Sequence, residues 1–372
     1  MQSVLQSKNI SKMALNNFRK ETSERSDEAN WAKSLLIANS GYYLDSIEGC
    51  NQNANNIVTH LIERARVDDI AGTKSSKKDI ISHILALEGK ETLLRKIRFT
   101  KCYGLPLSYA LYCDETEKVY LIYFHSLDEV EAFKTFSSYK EFSDWIAEIK
   151  GWKSNKAFRE MQDLPNFDKA LRKAGTPWPT NIDCFISNQT NEPIAILEFQ
   201  NAKNTNVANH CNNDFFLCKM TGTNQWGYTF YHDDIRRWTS QEILRVQSNL
   251  RYFIITWAQS ETDFILKEVE IITIPHFPDI AGKPNWDYIN AFKRDMNKYV
   301  TKNKDQEQQK NIEQKYKTYN LDFNDKLMNM VVNEPPLSFE NKTFPSIYYK
   351  SKELVQTGRV ELVKKFIELL KP

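Results

Sequence analysis

The sequence predicts an α/β protein, on three observations. Apolar residues recur at helical spacing in the first hundred residues and again at the C-terminal end. From Leu105 onward come short runs rich in Tyr, Leu, Val and Ile, bounded by turn residues. Through residues 151–282, helix and strand signals then alternate along the chain. With 372 residues, 41% of them hydrophobic, the chain can bury a sizeable core, and its length is the prior for two or three domains.

In chain order, residues 1–98 read as helical, with apolar spacing over Asn55–Arg66 and over Asp79–Arg98. Between them, GTKSSKKD reads as a plain basic turn carrying Lys74, Lys77 and Lys78. LPLSYALYC and KVYLIYF, separated by DETE, predict a β-hairpin over Leu105–Phe124, and a helix follows over Tyr139–Lys150. Residues 151–282 predict helix, turn, strand, turn, strand, long polar loop, helix, strand, strand. Beyond Gly282 the chain turns helical and Lys-rich; Thr301–Asn320 is polar on nearly all sides, and Ser351–Pro372 reads as an amphipathic helix. The expected division is therefore an N-terminal helical region with a hairpin (1–150), a mixed α/β core (151–282) and a C-terminal basic helical region (283–372). No repeat of fixed period is visible in the sequence.

Charge and composition narrow the function. Fifty Lys and Arg against 48 Asp and Glu leave a formal charge of +2. That excludes a highly charged disordered chain and a uniformly basic nucleic-acid coat, but permits a local basic patch. No run approaches a membrane span, and the first twenty residues lack the apolar core of a secretory signal. Six cysteines lie far apart without a CxxC pair. They read as reduced thiols, so a cytoplasmic protein is expected. His210, Cys211, Cys218 and His232 match no standard spacing of a structural zinc site.

The chemistry is concentrated in Thr176–Lys203, TPWPTNIDCFISNQTNEPIAILEFQNAK. NIDCFIS is a short apolar strand around Asp183, SNQTNEP is a turn, and IAILEFQ is a second apolar strand with Glu198 and Gln200 near its end. Alternation along a strand puts Glu198 and Gln200 on one face, Leu197 and Phe199 on the other. A carboxylate on a buried strand is costly unless it is paired or binds a metal. Asp183 and Glu198 sit on strands joined by a short turn. Converging in a low-dielectric cleft they repel each other, and a divalent cation removes that conflict. Hard carboxylate oxygens suit Mg²⁺ or Mn²⁺.

Asp183, followed fifteen residues later by Glu198-Phe199-Gln200, resembles the PD-(D/E)XK nuclease signature with Gln in the place usually held by Lys. The resemblance covers about Ala157 to Ala258. It implies a restriction-endonuclease-like core of helix, three antiparallel strands, helix and strand, with helical additions at both ends. Thr239 and Glu242 read as a capping box opening the second helix, and RYFIITWA as the strand after it. On the first helix Glu160 is the best match to the family's additional acidic residue, with Asp163 and Asp168 as competitors. Two departures stand out: Pro179 is not contiguous with Asp183, and Gln200 brings no positive charge, for which Lys203 and Lys219 are the nearest candidates.

The resemblance implies phosphodiester hydrolysis. Asp183 and Glu198, with Glu160, are the expected Mg²⁺ ligands (Mn²⁺ being the alternative ion), and Gln200 is expected to orient the attacking water. Arg236, Arg237, Gln241 and Arg245 on the second helix, with Lys203, are expected DNA contacts, Arg being suited to bidentate contact with phosphate or guanine. The large additions outside the core favour a sequence-specific endonuclease of the type II restriction kind on double-stranded DNA, acting as a homodimer. A defence or repair nuclease reading structure or modified bases is the alternative, as is a nuclease-fold DNA-binding protein without chemistry.

Overall fold

The computed structural model describes residues 30–53, 57–67, 77–154, 165–201, 219–223, 229–232, 235–257, 264–273, 338–339, 342–343, 348–357 and 359–371. In chain order the elements are α1 (Asn30–Ser40), β1 (Tyr43–Gln52), β2 (Val58–Arg66), α2 (Lys77–Glu88), α3 (Lys90–Lys101), β3 (Leu107–Tyr112), β4 (Val119–Phe124), β5 (Val130–Phe136), α4 (Tyr139–Lys150) and α5 (Asn166–Lys173). They continue with β6 (Thr180–Ser187), β7 (Pro193–Asn201), β8 (Lys219–Thr223), β9 (Thr229–His232), α6 (Ile235–Ser248), β10 (Arg251–Trp257), β11 (Phe264–Thr273), β12 (Ser338–Phe339), β13 (Lys342–Thr343), β14 (Tyr348–Thr357) and α7 (Arg359–Leu370). The α/β class is as expected.

Contacts divide the chain into two units, one of residues 1–201, 244–253 and 359–372, the other of 202–243 and 254–358. These are not the boundaries at 150 and 282 that the sequence suggested. The reason is that β6, the strand of Asp183, pairs antiparallel with β1 far upstream as well as with β7. The segment 151–282 thus shares its sheet with residues read as a separate helical region.

In the first unit the sheet runs in the order β10–β7–β6–β1–β2–β3–β4–β5. β2 and β3 are parallel, bridged by α2 and α3, whereas β1/β2, β1/β6, β3/β4, β4/β5 and β6/β7 are antiparallel. The predicted hairpin forms as β3 and β4, extended by β5. α4 spans the predicted residues and opens on a capping arrangement: the Ser138 hydroxyl accepts from the Glu141 N–H, and the Glu141 carboxylate accepts from the Ser137 N–H at 2.8 Å. Its apolar face joins α5 and the sheet in a core where Phe167 stacks on Tyr112 at 4.2 Å and lies edge-on to Tyr139. Tyr42 packs edge-on against Phe366 of α7.

Several elements differ from the sequence reading. β1 is a strand within residues 1–98, read as helical, and β12, β13 and β14 are strands within the C-terminal region read as helical. Of the predicted helix Asn55–Arg66, the described residues are not helical, and Val58–Arg66 form β2. Val58, Leu61, Ile62 and Ala65 fall at helical spacing, but all four are buried because the strand is covered on both faces, so period-2 alternation is absent. Residues 351–357, read as the start of a helix, belong to β14, and α7 begins only at Arg359. The hairpin of β8 and β9 interrupts the stretch read as one polar loop. Finally, α6 starts at Ile235, so Thr239 lies inside the helix rather than at its cap. Thr301–Asn320 is outside the described residues.

In the second unit β11 and β14 form a long antiparallel pair from Phe264↔Thr357 to Thr273↔Tyr348. No described helix is long and apolar enough to cross a membrane. Cys50, Cys102, Cys113 and Cys184 are free thiols, and burial pushes Cys50 up to about 12.

Candidate functional site

The β6–β7 hairpin is built as the sequence reading required. Its turn is held by Asn188, whose Oδ1 accepts from the N–H of Thr190 at 3.0 Å and of Glu192 at 2.9 Å, while Asn191 takes the left-handed conformation at φ 64. α3 clamps the turn from outside: Arg98 pairs with Glu192 at 2.8 Å, and Arg95 donates to Asn191 at 3.2 Å. The ladder then runs Ser187↔Pro193, Ile186↔Ala195, Phe185↔Ile196 and Cys184↔Leu197. The next position in that register sets Asp183 opposite Glu198, and residues opposite each other in an antiparallel pair share a face.

Asp183 is half-buried and its Oδ1 accepts from Asn181 Nδ2 at 3.1 Å. Glu198 and Gln200 are 5% and 4% exposed, so this end of β7 carries two polar side chains into the protein. Leu197 and Phe199 are buried as well. A pair of carboxylates is a donor set that suits Mg²⁺, which retains several waters and takes one or two protein carboxylates. Among the described residues no group of three or more His, Cys, Asp and Glu is placed to hold a metal ion.

The other predicted residues divide. Glu160, Asp163 and Lys203 lie outside the described residues. Asp168, a competitor of Glu160, is instead held by Arg64 of β2 at 3.0 Å. Arg236 and Arg237 fall in the first turn of α6, with Gln241 and Arg245 further along the same helix, Gln241 buried and Arg245 half-buried. Lys219 opens β8. Near the end of α6, Gln247 accepts from the Val58 N–H at 2.8 Å, tying that end of the helix to β2.

The sequence reading missed a second set of buried ions, on β1, β2, α2 and α3. Lys96, 1% exposed, reaches Glu63 at 3.2 Å and Glu88 at 3.0 Å, and Tyr109 donates to the other oxygen of Glu88 at 3.0 Å. The Glu48 N–H donates to Glu63 at 3.2 Å, and the Glu48 carboxylate lies 3.8 Å from Arg64. Arg64 also stacks over Trp178 at 4.4 Å, whose indole N–H donates to the Glu48 carbonyl at 3.0 Å. Gly49 makes room for that indole, since a Cβ there would sit 2.9 Å from it. Arg95 grips Asp45 through two nitrogens, at 2.6 and 3.3 Å.

Burial pushes the Glu63 carboxyl up to about 8 against the pull of Lys96, and neighbouring Glu88 and Glu48 add to the rise. Burial alone would depress Lys96, but Glu63 and Glu88 outweigh it and hold the ammonium above its ordinary range. The signal available in the sequence was Glu63-Arg64 inside an otherwise apolar run, which becomes meaningful only once that run is a strand covered on both faces.

Comparison with family models, with curated proteins and with solved structures finds no match for this chain.

Proposed function

We propose that the chain is a metal-dependent endonuclease that hydrolyses DNA phosphodiester bonds, with a restriction-endonuclease-like core and sequence-specific cleavage of the type II kind. The observation that carries this reading is the register of β6 and β7. Carried one position beyond Cys184↔Leu197, that register puts Asp183 opposite Glu198, and strand alternation puts Gln200 on the same face as Glu198.

In this reading Asp183 and Glu198 hold one Mg²⁺ or Mn²⁺, and Glu160 adds a further carboxylate. When bound, the ion polarises the scissile phosphate and lowers the pKa of water. Gln200 accepts a hydrogen bond from the attacking water through Oε1 and fixes its line of approach. The water oxygen bonds to phosphorus as the bond from phosphorus to the 3′ oxygen breaks, leaving a 5′-phosphate and a 3′-hydroxyl. Arg236, Arg237, Gln241, Arg245 and Lys203 contact the duplex, and two chains supply the two cuts of a double-strand break.

Gln200 also favours a second reading. A neutral amide supplies no positive charge to the developing transition state, as expected if the protein binds DNA without cutting it.

The test is incubation of supercoiled plasmid with the protein in Mg²⁺ and in EDTA, beside Asp183→Ala/Glu198→Ala. Discrete metal-dependent bands, absent for the double variant, are the expected result. A smear points to a defence or repair nuclease. Salt-sensitive DNA retention with no cleavage in Mg²⁺ or Mn²⁺ establishes the binding protein instead.

A further inference from the structure

The β1–β2 and β6–β7 hairpins are built alike. In the first the paired residues are Gly49↔Ile62, Cys50↔Leu61, Asn51↔His60 and Gln52↔Val58, with an irregularity between Asn51 and Gln52. In the second they are Cys184↔Leu197, Phe185↔Ile196, Ile186↔Ala195 and Ser187↔Pro193, with the irregularity between Ile186 and Ser187. Adding 135 to every number of the first set, irregularity included, gives the second. The turns agree under the same shift. The Asn53 N–H donates to the Ile57 carbonyl at 3.0 Å and its Oδ1 accepts from the Ile57 N–H at 3.2 Å; Asn188 does the same with Glu192, at 3.0 and 2.9 Å. Upstream, α1 shifted by 135 spans 165–175, and α5 occupies Asn166–Lys173 within it. In sequence the shift carries Ile47-Glu48 onto Ile182-Asp183 and Glu63 onto Glu198.

Two hairpins with one type of turn can agree without being related, but the seam between them carries a stricter signature. β1 and β6 pair antiparallel through Asp45↔Phe185, Ile47↔Ile182 and Cys50↔Thr180, with an irregularity on each side of Ile47. Exchanging equivalent residues, Asp45 with Thr180, Ile47 with Ile182 and Cys50 with Phe185, turns these three pairs and both irregularities into themselves. Tyr43↔Ser187 and Leu44↔Ile186 extend the ladder at one end. A ladder that maps onto itself has a twofold axis, here between Ile47 and Ile182, which are buried. The sheet agrees: β3 lies beside β2 and β10 beside β7, so the order β10–β7–β6–β1–β2–β3 reads the same from either end.

Chain order extends the match. After β3 and after β10 comes an antiparallel pair, β4/β5 and β11/β14, with β12 and β13 intervening in the second case, and then a twelve-residue helix, α4 and α7. Both helices bury their fourth and eighth residues, Phe142 and Ile146 in α4, Leu362 and Phe366 in α7. α4 packs on α5, with the Phe142 and Phe167 rings 5.6 Å apart, and α7 packs on α1. Each first helix is thus covered by the last helix of the other copy. An isologous dimer brings one surface of two chains together about a twofold axis. Here β1 and β6 are that surface, and each covers what would be an open edge of the other copy. We infer that the chain is an internal duplication, the equivalent of a twofold dimer in one polypeptide, and that a single chain is the working unit on a duplex, addressing both strands without a second copy. The two cuts of a double-strand break are then made by two chains acting in turn, not as a bound pair. The duplex as substrate rests on the nuclease reading above, whereas the duplication and the single-chain state do not.

Two measurements on the full-length protein test this. Sedimentation equilibrium of the protein alone is expected to give the mass of one chain, and titration of a duplex oligonucleotide in EDTA is expected to give a first complex of one chain per duplex. A dimer of chains, or a first complex holding two, overturns the single-chain unit. The second measurement reverses the order of the copies. Twofold-related copies make the same fold in either order, so a circular permutant with Pro372 joined to Met1 and its new ends between α4 and α5 is expected to keep the native circular dichroism and a single cooperative urea transition. It is made with a direct join and with a Gly-Ser join. The duplication is overturned if neither permutant folds. If the protein is a single chain and a permutant folds, but no duplex is retained at any salt concentration, the nuclease reading fails and the duplication stands.

Discussion

The β1–β2 and β6–β7 hairpins share a backbone register and a pair of carboxylates fifteen residues apart; in the first both carboxylates meet cations of the chain, and in the second they are the proposed metal ligands. On the nuclease reading, few side chains separate a structural ion cluster from a reactive centre. Arg64 and Lys96 reach Glu48 and Glu63 from within, and Tyr109 donates to the far oxygen of Glu88. The cluster then holds β1, β2, α2 and α3 together. At the second hairpin Phe199 takes the Arg64 position, and Gln200 stands at the position of Ala65.

If that comparison is right, the largest effects fall on opposite sides of it. Asp183→Ala or Glu198→Ala should lower the plasmid cleavage rate by about a thousandfold, because a metal supplies several kcal/mol of transition-state stabilisation and each ~1.4 kcal/mol is tenfold. Glu63→Gln should leave that rate within about threefold, a small barrier change on the same scale. Equal losses for both hairpins would erase the distinction.

Stability should invert the ranking. Lys96→Met removes one partner of a buried ion cluster and should cost about 3–5 kcal/mol in urea unfolding, whereas Asp183→Asn should change stability by under about 1 kcal/mol. A Lys96→Met variant as stable as the native chain breaks the account of the sealed hairpin.

Gln200→Ala should slow cleavage by about ten- to a hundredfold, the usual contribution of a group that positions a reactant, and Gln200→Lys should exceed the native rate. No change in either variant removes Gln200 from the reaction.

A smaller effect sharpens the electrostatics. Glu63 is raised from 4.5 to about 8, so the native state keeps a proton that the unfolded chain has already released between those pH values. Its contribution to stability is therefore full below about pH 4.5 and is lost as pH rises through about 8. Thermal melts across pH 5–8 should fall for the native chain along this slope, and Glu63→Gln should flatten it. A slope unchanged by the substitution would place the titration elsewhere.

The α/β class, the β3–β4 hairpin, α4 and the β6–β7 hairpin were legible because each is written locally. Turn residues bound the strands, Ser138 and Glu141 cap α4, and Asn188 folds its own turn. The antiparallel pairing of β6 with β7 was legible for the same reason, since a short turn fixes which residues face each other. β2 was illegible because burial on both faces removes alternation and leaves apolar residues that fall by chance at helical spacing. The sealed cluster was illegible because its members come from β1, β2, α2 and α3, and no local pattern states that Lys96 ends beside Glu63.

The most direct measurement is anomalous diffraction from crystals soaked in Mn²⁺. The account predicts one peak, between the Asp183 and Glu198 carboxylates, and none within coordination distance of Glu63. A peak at Glu63 beside an undisplaced Lys96, or no peak at Asp183 and Glu198, would contradict it.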